Sequence, residues 1–212
     1  YMHTDMHHSM GIDLDGLRES LGLTDITFFP KFEQMVIGVR AEALAHLYNA
    51  MDVFLLPSKG EGFGIPLVEA QACGVPVITT NCTAQPDIVE GGWLIKDLTP
   101  TFTAQGSWQF ECNPNEIALY LEEAYAEWKT DKYIERKAKA REKAKEYEWD
   151  TLIPNFWKPT LEDVEKKIHE PKNLEGIQEW RMYLIPHNCI PRKVLDIGCG
   201  VTQPYRPILQ NL

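Results

Sequence analysis

The stretch Val53-Phe54-Leu55-Leu56-Pro57-Ser58-Lys59-Gly60-Glu61-Gly62-Phe63-Gly64-Ile65-Pro66-Leu67-Val68-Glu69-Ala70-Gln71-Ala72-Cys73-Gly74-Val75-Pro76-Val77-Ile78-Thr79 decides the fold. Val53 to Leu56 is a short, continuously apolar run, which predicts a buried central strand. A glycine-punctuated loop follows, Ser58 to Gly64, and then a helix with Pro66 near its first position and Gly74 just past its end. Val75 to Thr79 supplies the next strand. Strand, helix and strand in this order form a βαβ unit, whose crossover is right-handed.

Working outward, the same alternation continues on both sides. Upstream, Ala41, Leu44, Ala45 and Tyr48 fall at i, i+3, i+4 and i+7, an amphipathic helix ending before Asp52. Ile26 to Phe29 reads as a strand, Asp13 to Leu21 as a short helix and Tyr1 to His3 as a strand remnant. Downstream, a short helix is predicted near Ala84 to Val89 and a strand at Trp93 to Ile95. Asn113, Pro114 and Glu116 stand as N-cap, first residue and capping-box acid of a helix with the apolar stripe Ile117, Leu121, Ala124, Tyr125 and Trp128. Residues 131 to 148 mix Lys, Arg and Glu and read as a solvated helix. Trp149, Leu152, Ile153, Phe156 and Trp157 make a last apolar face, with Pro154 near a helix start. The fold class is therefore α/β, a Rossmann-like parallel sheet with helices on both faces. Residues 1–170 are assigned to this domain, and 171–212 to a linker and the start of an incomplete α/β stub.

Composition narrows the function classes. Hydrophobic residues are 44% and charged residues 25% of the 212, the balance of a folded globular chain. No run reaches the ~18 apolar residues of a spanning helix. A formal net charge of -10 disfavours a general nucleic-acid surface. The 5 cysteines are odd in number and lack C-x-x-C spacing, so neither a disulfide framework nor a zinc site is indicated, and a reducing, cytoplasmic setting is expected. His3, His7, His8 and Asp5 read as surface groups, and no metal is expected. The chain starts at Tyr1 with no visible leader, which leads to the expectation that upstream sequence is missing.

Chemistry concentrates in Glu61-Gly62-Phe63-Gly64-Ile65-Pro66-Leu67-Val68-Glu69. Ligands of open α/β sheets bind outside the carboxyl ends of the strands, where this loop and helix start fall. Glycines let a ligand approach the backbone, and the free N–H groups and dipole of a helix start favour a diphosphate. Glu69, expected in the first helical turn, is suited to accept bonds from the vicinal hydroxyls of a ribose, and Glu61 to meet sugar hydroxyls or developing positive charge. By spacing, the two carboxylates fit a ligand site and ordinary helix capping equally well.

The longer pattern Leu47-Tyr48-Asn49-Ala50-Met51-Asp52-Val53, Pro57-Ser58, Glu61-Gly62-Phe63-Gly64, Glu69-Ala70-Gln71-Ala72-Cys73-Gly74 and Pro76-Val77-Ile78 resembles the retaining, nucleotide-sugar-dependent GT-B glycosyltransferases of the sucrose synthase and mannosyltransferase type, with their E-x7-E motif. The resemblance covers roughly residues 1–158 and implies the C-terminal, donor-binding half of a GT-B fold. It implies Glu61 as the catalytic carboxylate against the donor sugar and Glu69 on the nucleotide ribose. Gly62, Phe63 and Gly64 would contact the sugar, Ile65, Pro66 and Leu67 would offer N–H groups to the diphosphate, and Phe29 and Pro30 would lie near the base. No cofactor beyond the nucleotide diphosphate sugar is implied, and the acceptor is an unspecified glycan, lipid or small molecule. In the family an Arg and a Lys grip the diphosphate from a strand that would precede Tyr1, and an acceptor domain precedes that. Weak nucleotide binding and no turnover by this chain by itself are the resulting expectations.

A second segment, Val194-Leu195-Asp196-Ile197-Gly198-Cys199-Gly200, resembles the first motif of class I S-adenosylmethionine-dependent methyltransferases. That resemblance implies Asp196, Gly198 and Gly200 as cofactor-binding in a complete downstream domain, while a plain strand followed by a glycine turn fits the same residues. Three functional readings follow: a glycosyltransferase fragment, a noncatalytic nucleotide-sugar-binding module, and part of a bifunctional glycosyltransferase and methyltransferase.

Overall fold

The computed structural model describes residues 1–7, 11–31, 37–104 and 106–169. The chain divides into two compact units, Tyr1–Pro154 and Asn155–Leu212. In the first unit the elements run α1 (Leu14–Ser20), α2 (Ala41–Asn49), β1 (Phe54–Leu56), α3 (Ile65–Ala72), β2 (Val77–Thr80), α4 (Gln85–Ile88), β3 (Trp93–Ile95), β4 (Leu98–Phe102), β5 (Trp108–Cys112), α5 (Pro114–Glu127), α6 (Asp131–Lys145) and α7 (Trp149–Leu152). A π-helical turn, Ile153–Trp157, contains Pro154, and α8 (Lys158–His169) belongs to the second unit.

Strands β1, β2 and β3 form a parallel sheet in that order, with Leu55 opposite Ile78 and Thr79 opposite Leu94. Successive residues of a strand face opposite sides, and β2 shows the consequence. Val77 joins Tyr48, Leu67, Ala70, Val75 and Ile88 under helices α2, α3 and α4. Its neighbour Ile78 joins Trp93, Ile95 and Ala124 under α5. Both faces of the sheet are thus covered, and every residue of β2 is buried.

Two buried polar side chains, Gln71 and Thr79, tie this core together, whereas the buried Trp93 Nε1 has no hydrogen-bond partner among the described residues. Gln71 of α3 donates through Nε2 to the Leu67 and Ile88 carbonyls and accepts from the Glu90 N–H, which fixes α3 against α4. Thr79 donates to the Leu56 carbonyl at 2.7 Å, adding a side-chain tie to the β1–β2 ladder. Gly91 has φ 71° where α6 passes overhead, and a Cβ there would lie 2.4 Å from the Arg136 carbonyl oxygen. Only a glycine fits that crossing.

Several expectations are corrected by the structure. Phe54–Leu56 is an edge strand of half-buried residues, and β2 is the central one, because β1 pairs only with β2 among the described residues. Neither Tyr1 to His3 nor Ile26 to Phe29 forms a strand; one bond, from the Met2 N–H to the Phe28 carbonyl, joins them, and Ile26 and Phe28 stay exposed. Without a ladder on a neighbouring strand, alternation of side chains buries nothing. Glu116 does not close a capping box: Asn113 caps α5 through the Asn115 N–H, while Glu116 accepts from the N–H groups of Lys96 and Asp97 at 3.0 and 2.7 Å. Those two bonds pull its carboxyl below the usual range against the opposing effect of burial. The face of α5 on the sheet is Ile117, Tyr120 and Ala124, whereas Leu121, Tyr125 and Trp128 line an open cleft with Asp52 and Tyr133. Helix α6 is more than a solvated helix, since Tyr133, Ala140 and Ala144 are buried and it packs on α3. Trp149, Ile153, Phe156 and Trp157 are exposed. The stub at 171–212, with Asp196, Gly198 and Gly200, lies outside the described residues.

Candidate functional site

The loop from Pro57 to Gly64 leaves the carboxyl end of β1 and enters α3. Gly64 is the N-cap residue with φ 96° and ψ 52°, a left-handed conformation that frees the chain to turn sharply into the helix. It is buried, and a Cβ at this position would lie 3.1 Å from both Ile88 Cδ1 and Leu67 Cδ1. The positive φ favours glycine whatever the space, and a Cβ would also make Ile88 and Leu67 give by a few tenths of an ångström. Gly62, Phe63 and Ile65 are exposed around it, and the Phe63 ring meets the Tyr147 ring edge-on at 5.3 Å.

The expected diphosphate donors narrow on inspection of the helix start. Pro66 has no N–H, and the Leu67 N–H donates to the Gly64 carbonyl at 2.9 Å. Ile65, as the first helical residue, has no intrahelical acceptor for its N–H. Of Ile65, Pro66 and Leu67, then, Ile65 is the one that keeps a donor for a ligand.

The two carboxylates differ in setting. Glu61 is half-exposed, and its carboxylate has no hydrogen-bond or ion-pair partner among the described residues, whereas its backbone N–H donates to Thr83 Oγ1 at 2.9 Å. Glu69 is the fifth residue of α3, so it stands at the start of the second turn and not in the first; the helix opens at Ile65, four positions earlier on the same face. Its Oε2 accepts from the Tyr48 hydroxyl of α2 at 3.0 Å. Burial, with the Glu69 charge beside it, pushes the Tyr48 phenol far above its ordinary value.

A buried polar network behind Glu61 was not foreseen from the sequence. Gln85, fully buried at the start of α4, donates to Thr80 Oγ1 at 2.9 Å and to Ser58 Oγ at 3.2 Å, and accepts from Thr83 Oγ1 at 2.6 Å. Thr83 has φ 48°, an uncommon conformation for a β-branched residue, and its hydroxyl links Gln85 to the Glu61 backbone. Thr80 donates in turn to the Ser58 carbonyl at 2.8 Å. On the other side, Lys59 pairs with Glu111 at 2.6 Å and its carbonyl accepts from the Phe110 N–H, tying the loop to β5. The signal available in the sequence was a run of Thr, Ser and Gln at two strand ends, which fits a surface loop equally well. Phe29 is engaged elsewhere, with the Arg18 guanidinium 5.7 Å above its ring, and Arg18 Nη1 donates to the Thr27 carbonyl.

A family model described as Glycosyl transferases group 1 matches residues 17–141, more than half of the chain. The chain belongs to this family. Among curated relatives, it is 46% identical over 56 residues to O-antigen chain mannosyltransferase B of Escherichia coli, covering 26% of this chain and 15% of the relative. It is 29% identical over 127 residues to an uncharacterized glycosyltransferase of Methanocaldococcus jannaschii, covering 58% of this chain and 30% of the relative. The chain thus spans well under half the length of these two relatives. Among solved structures, sucrose-phosphate synthase from Thermosynechococcus elongatus superposes with a TM-score of 0.57 and 22% identity, over 77% of this chain and 37% of that one. That likeness shows the α/β, GT-B type of fold. The group 1 segment of 17–141 contains α2, the Glu61 loop, α3 and the Gln85 network. Among the described residues no helix is long and apolar enough to cross a membrane.

Proposed function

We propose that this chain supplies the donor site of a retaining glycosyltransferase, and that the Glu61 to Glu69 segment binds a nucleotide diphosphate sugar. The observation that carries the reading is the left-handed Gly64 cap, which opens α3 at the end of β1 between a Glu61 carboxylate without a partner among the described residues and a half-buried Glu69 carboxylate held by the Tyr48 hydroxyl. In this reading Glu69 accepts bonds from the ribose hydroxyls, and the Ile65 N–H with the positive end of the helix dipole meets a phosphate oxygen. Glu61, with Gly62, Phe63 and Gly64, lies against the sugar.

Transfer breaks the bond between the anomeric carbon and the β-phosphate oxygen and forms one to an acceptor hydroxyl oxygen. The nucleoside diphosphate leaves with the bonding electron pair, and the hydroxyl proton passes to a phosphate oxygen. Glu61 would stabilise positive charge that develops on the sugar, an electrostatic contribution. The acceptor is a glycan, lipid or small molecule. The odd number of cysteines and their lack of C-x-x-C spacing favour a reducing setting such as the cytoplasm.

The test is an NMR titration with uridine and guanosine diphosphates and their glucose and mannose conjugates. Glu69→Gln is expected to weaken the free nucleotide by about threefold to tenfold, because the amide oxygen still accepts a bond and only the charge assistance, about 0.7 to 1.4 kcal/mol, is lost. Glu61→Gln is expected to weaken only the sugar conjugate. Loss of both ligands alike in the Glu61 variant, or unchanged nucleotide affinity in the Glu69 variant, contradicts the assignment.

A further inference from the structure

We propose that Tyr48 is a positioning residue for nucleotide recognition, holding the Glu69 carboxylate in the orientation that takes the two ribose hydroxyls. The inference rests on the reading of Glu69 as the ribose acceptor and adds a residue that this reading does not contain.

Tyr48 lies on the last turn of α2 and is 5% exposed. Its ring is fixed edge-on against Phe54 of β1, with centroids 5.6 Å apart and planes at 81°, inside the cluster of Leu67, Ala70 and Val77. The phenol therefore has little freedom. Its hydroxyl is the one polar atom of this side chain, and it is aimed at Glu69 Oε2 at 3.0 Å. Two helices and a strand thus set the place of one proton donor.

The polarity of that bond matters. A carboxylate only accepts, and each of its oxygens offers about two lone-pair directions. Tyr48 takes one direction on Oε2, leaving the other and both on Oε1 for two vicinal hydroxyls, which also donate. A phenol pushed far above its ordinary ionisation range by burial and by the Glu69 charge stays protonated, so the donor never turns into a repelling phenolate near neutral pH. A half-buried glutamate without such a partner samples several rotamers, and ordering it at the moment of binding lowers affinity. Tyr48 orders it beforehand.

The competing explanation is that Glu69 merely satisfies a buried phenol. The two explanations part on one readout, the preference for a ribonucleotide over its 2′,3′-dideoxy analogue. Uridine and guanosine diphosphates and their dideoxy forms are titrated against the chain, Tyr48→Phe, Glu69→Gln and the double variant, with melting recorded for each. Phe keeps the ring and its packing. The expected result is that Tyr48→Phe weakens the ribonucleotide about threefold to tenfold, leaves the dideoxy analogue unchanged, and adds nothing in the Glu69→Gln background. If Glu69→Gln loses the ribose preference while Tyr48→Phe keeps it, or Tyr48→Phe weakens both analogues equally, the role of Tyr48 is overturned and that of Glu69 stands. If Glu69→Gln keeps the full preference, both fall together.

Discussion

Arg136 of α6 is gripped from three directions. Its Nε donates to Glu127 Oε2 at 2.6 Å, its Nη2 to Glu127 Oε1 and Glu123 Oε1, and its Nη1 to the carbonyls of Gly91 and Gly92. The guanidinium lies over the Trp93 ring, 4.0 Å from the centroid. This planar fork joins α5, α6 and the turn into β3, which a lysine's point charge would not do. Glu127 is 7% exposed, and burial by itself would raise its carboxyl; the bonds from Arg136 and Lys132 outweigh burial and bring it down to about 2. A group depressed in the folded state contributes stability above its unfolded value, and that contribution fades as pH falls towards the folded one. Here the window runs from about pH 4.5 to about 2. Glu127→Gln is expected to lower stability at pH 7 by roughly 1 to 3 kcal/mol, and the gap to the parent should close on acidification. Urea unfolding at pH 7, 4 and 3 checks this. A gap that stays constant across that range would mean that Glu127 contributes through packing and not through charge.

At the scale of elements, the donor loop is held by its neighbours more than by itself. Ser58, Thr80, Thr83 and Gln85 join the ends of β1 and β2, and Thr83 transmits that tie to the Glu61 N–H. Gln85→Leu removes the amide and leaves hydroxyls without their buried partner, a cost of about 1 to 3 kcal/mol per group left unsatisfied. Amide exchange at Glu61 should then quicken at least tenfold, while exchange at Ile78 changes only by the global loss of stability. Equal changes at both sites would show that Gln85 supports the core and not the loop. The strand, glycine loop and helix from Phe54 to Thr80 were legible in the sequence because local signals agree there: apolar run, glycine-punctuated loop, proline at a helix start. The hairpin of β4 and β5 was not. Its strands carry Pro100 and exposed residues, and its pairing of Leu98 with Cys112 is a nonlocal fact that no short window contains. Tyr48 looked like a core residue of an amphipathic helix, which it is; that its hydroxyl meets Glu69 depends on how α2 crosses α3. Glu116 had the spacing of a capping box, yet the β3–β4 turn offered it two N–H groups.

Across the whole molecule, the charge balance opposes the proposed ligand. The chain carries a formal net charge of -10, so its long-range field repels a nucleoside diphosphate. The lysine within the donor loop, Lys59, is already paired with Glu111. What attracts phosphate at the Gly64 turn is therefore short-range: a helix start, its dipole and hydrogen bonds made in contact. These two contributions respond differently to salt. The Debye length shrinks from about 30 Å at 0.01 M to about 8 Å at 0.15 M, which screens the repulsion of distant carboxylates but leaves bonds at contact distance largely intact. The affinity of this chain for uridine or guanosine diphosphate should accordingly hold or rise, by up to about threefold, as sodium chloride goes from low millimolar to 0.15 M. A basic phosphate site behaves in the opposite sense, losing affinity steadily as its steering field is screened. Calorimetric titrations at three salt concentrations separate the two. A tenfold weakening over that range would mean that a local cluster of positive charge dominates the contact, and that a helix N-terminus and two glutamates are not its main recognition elements.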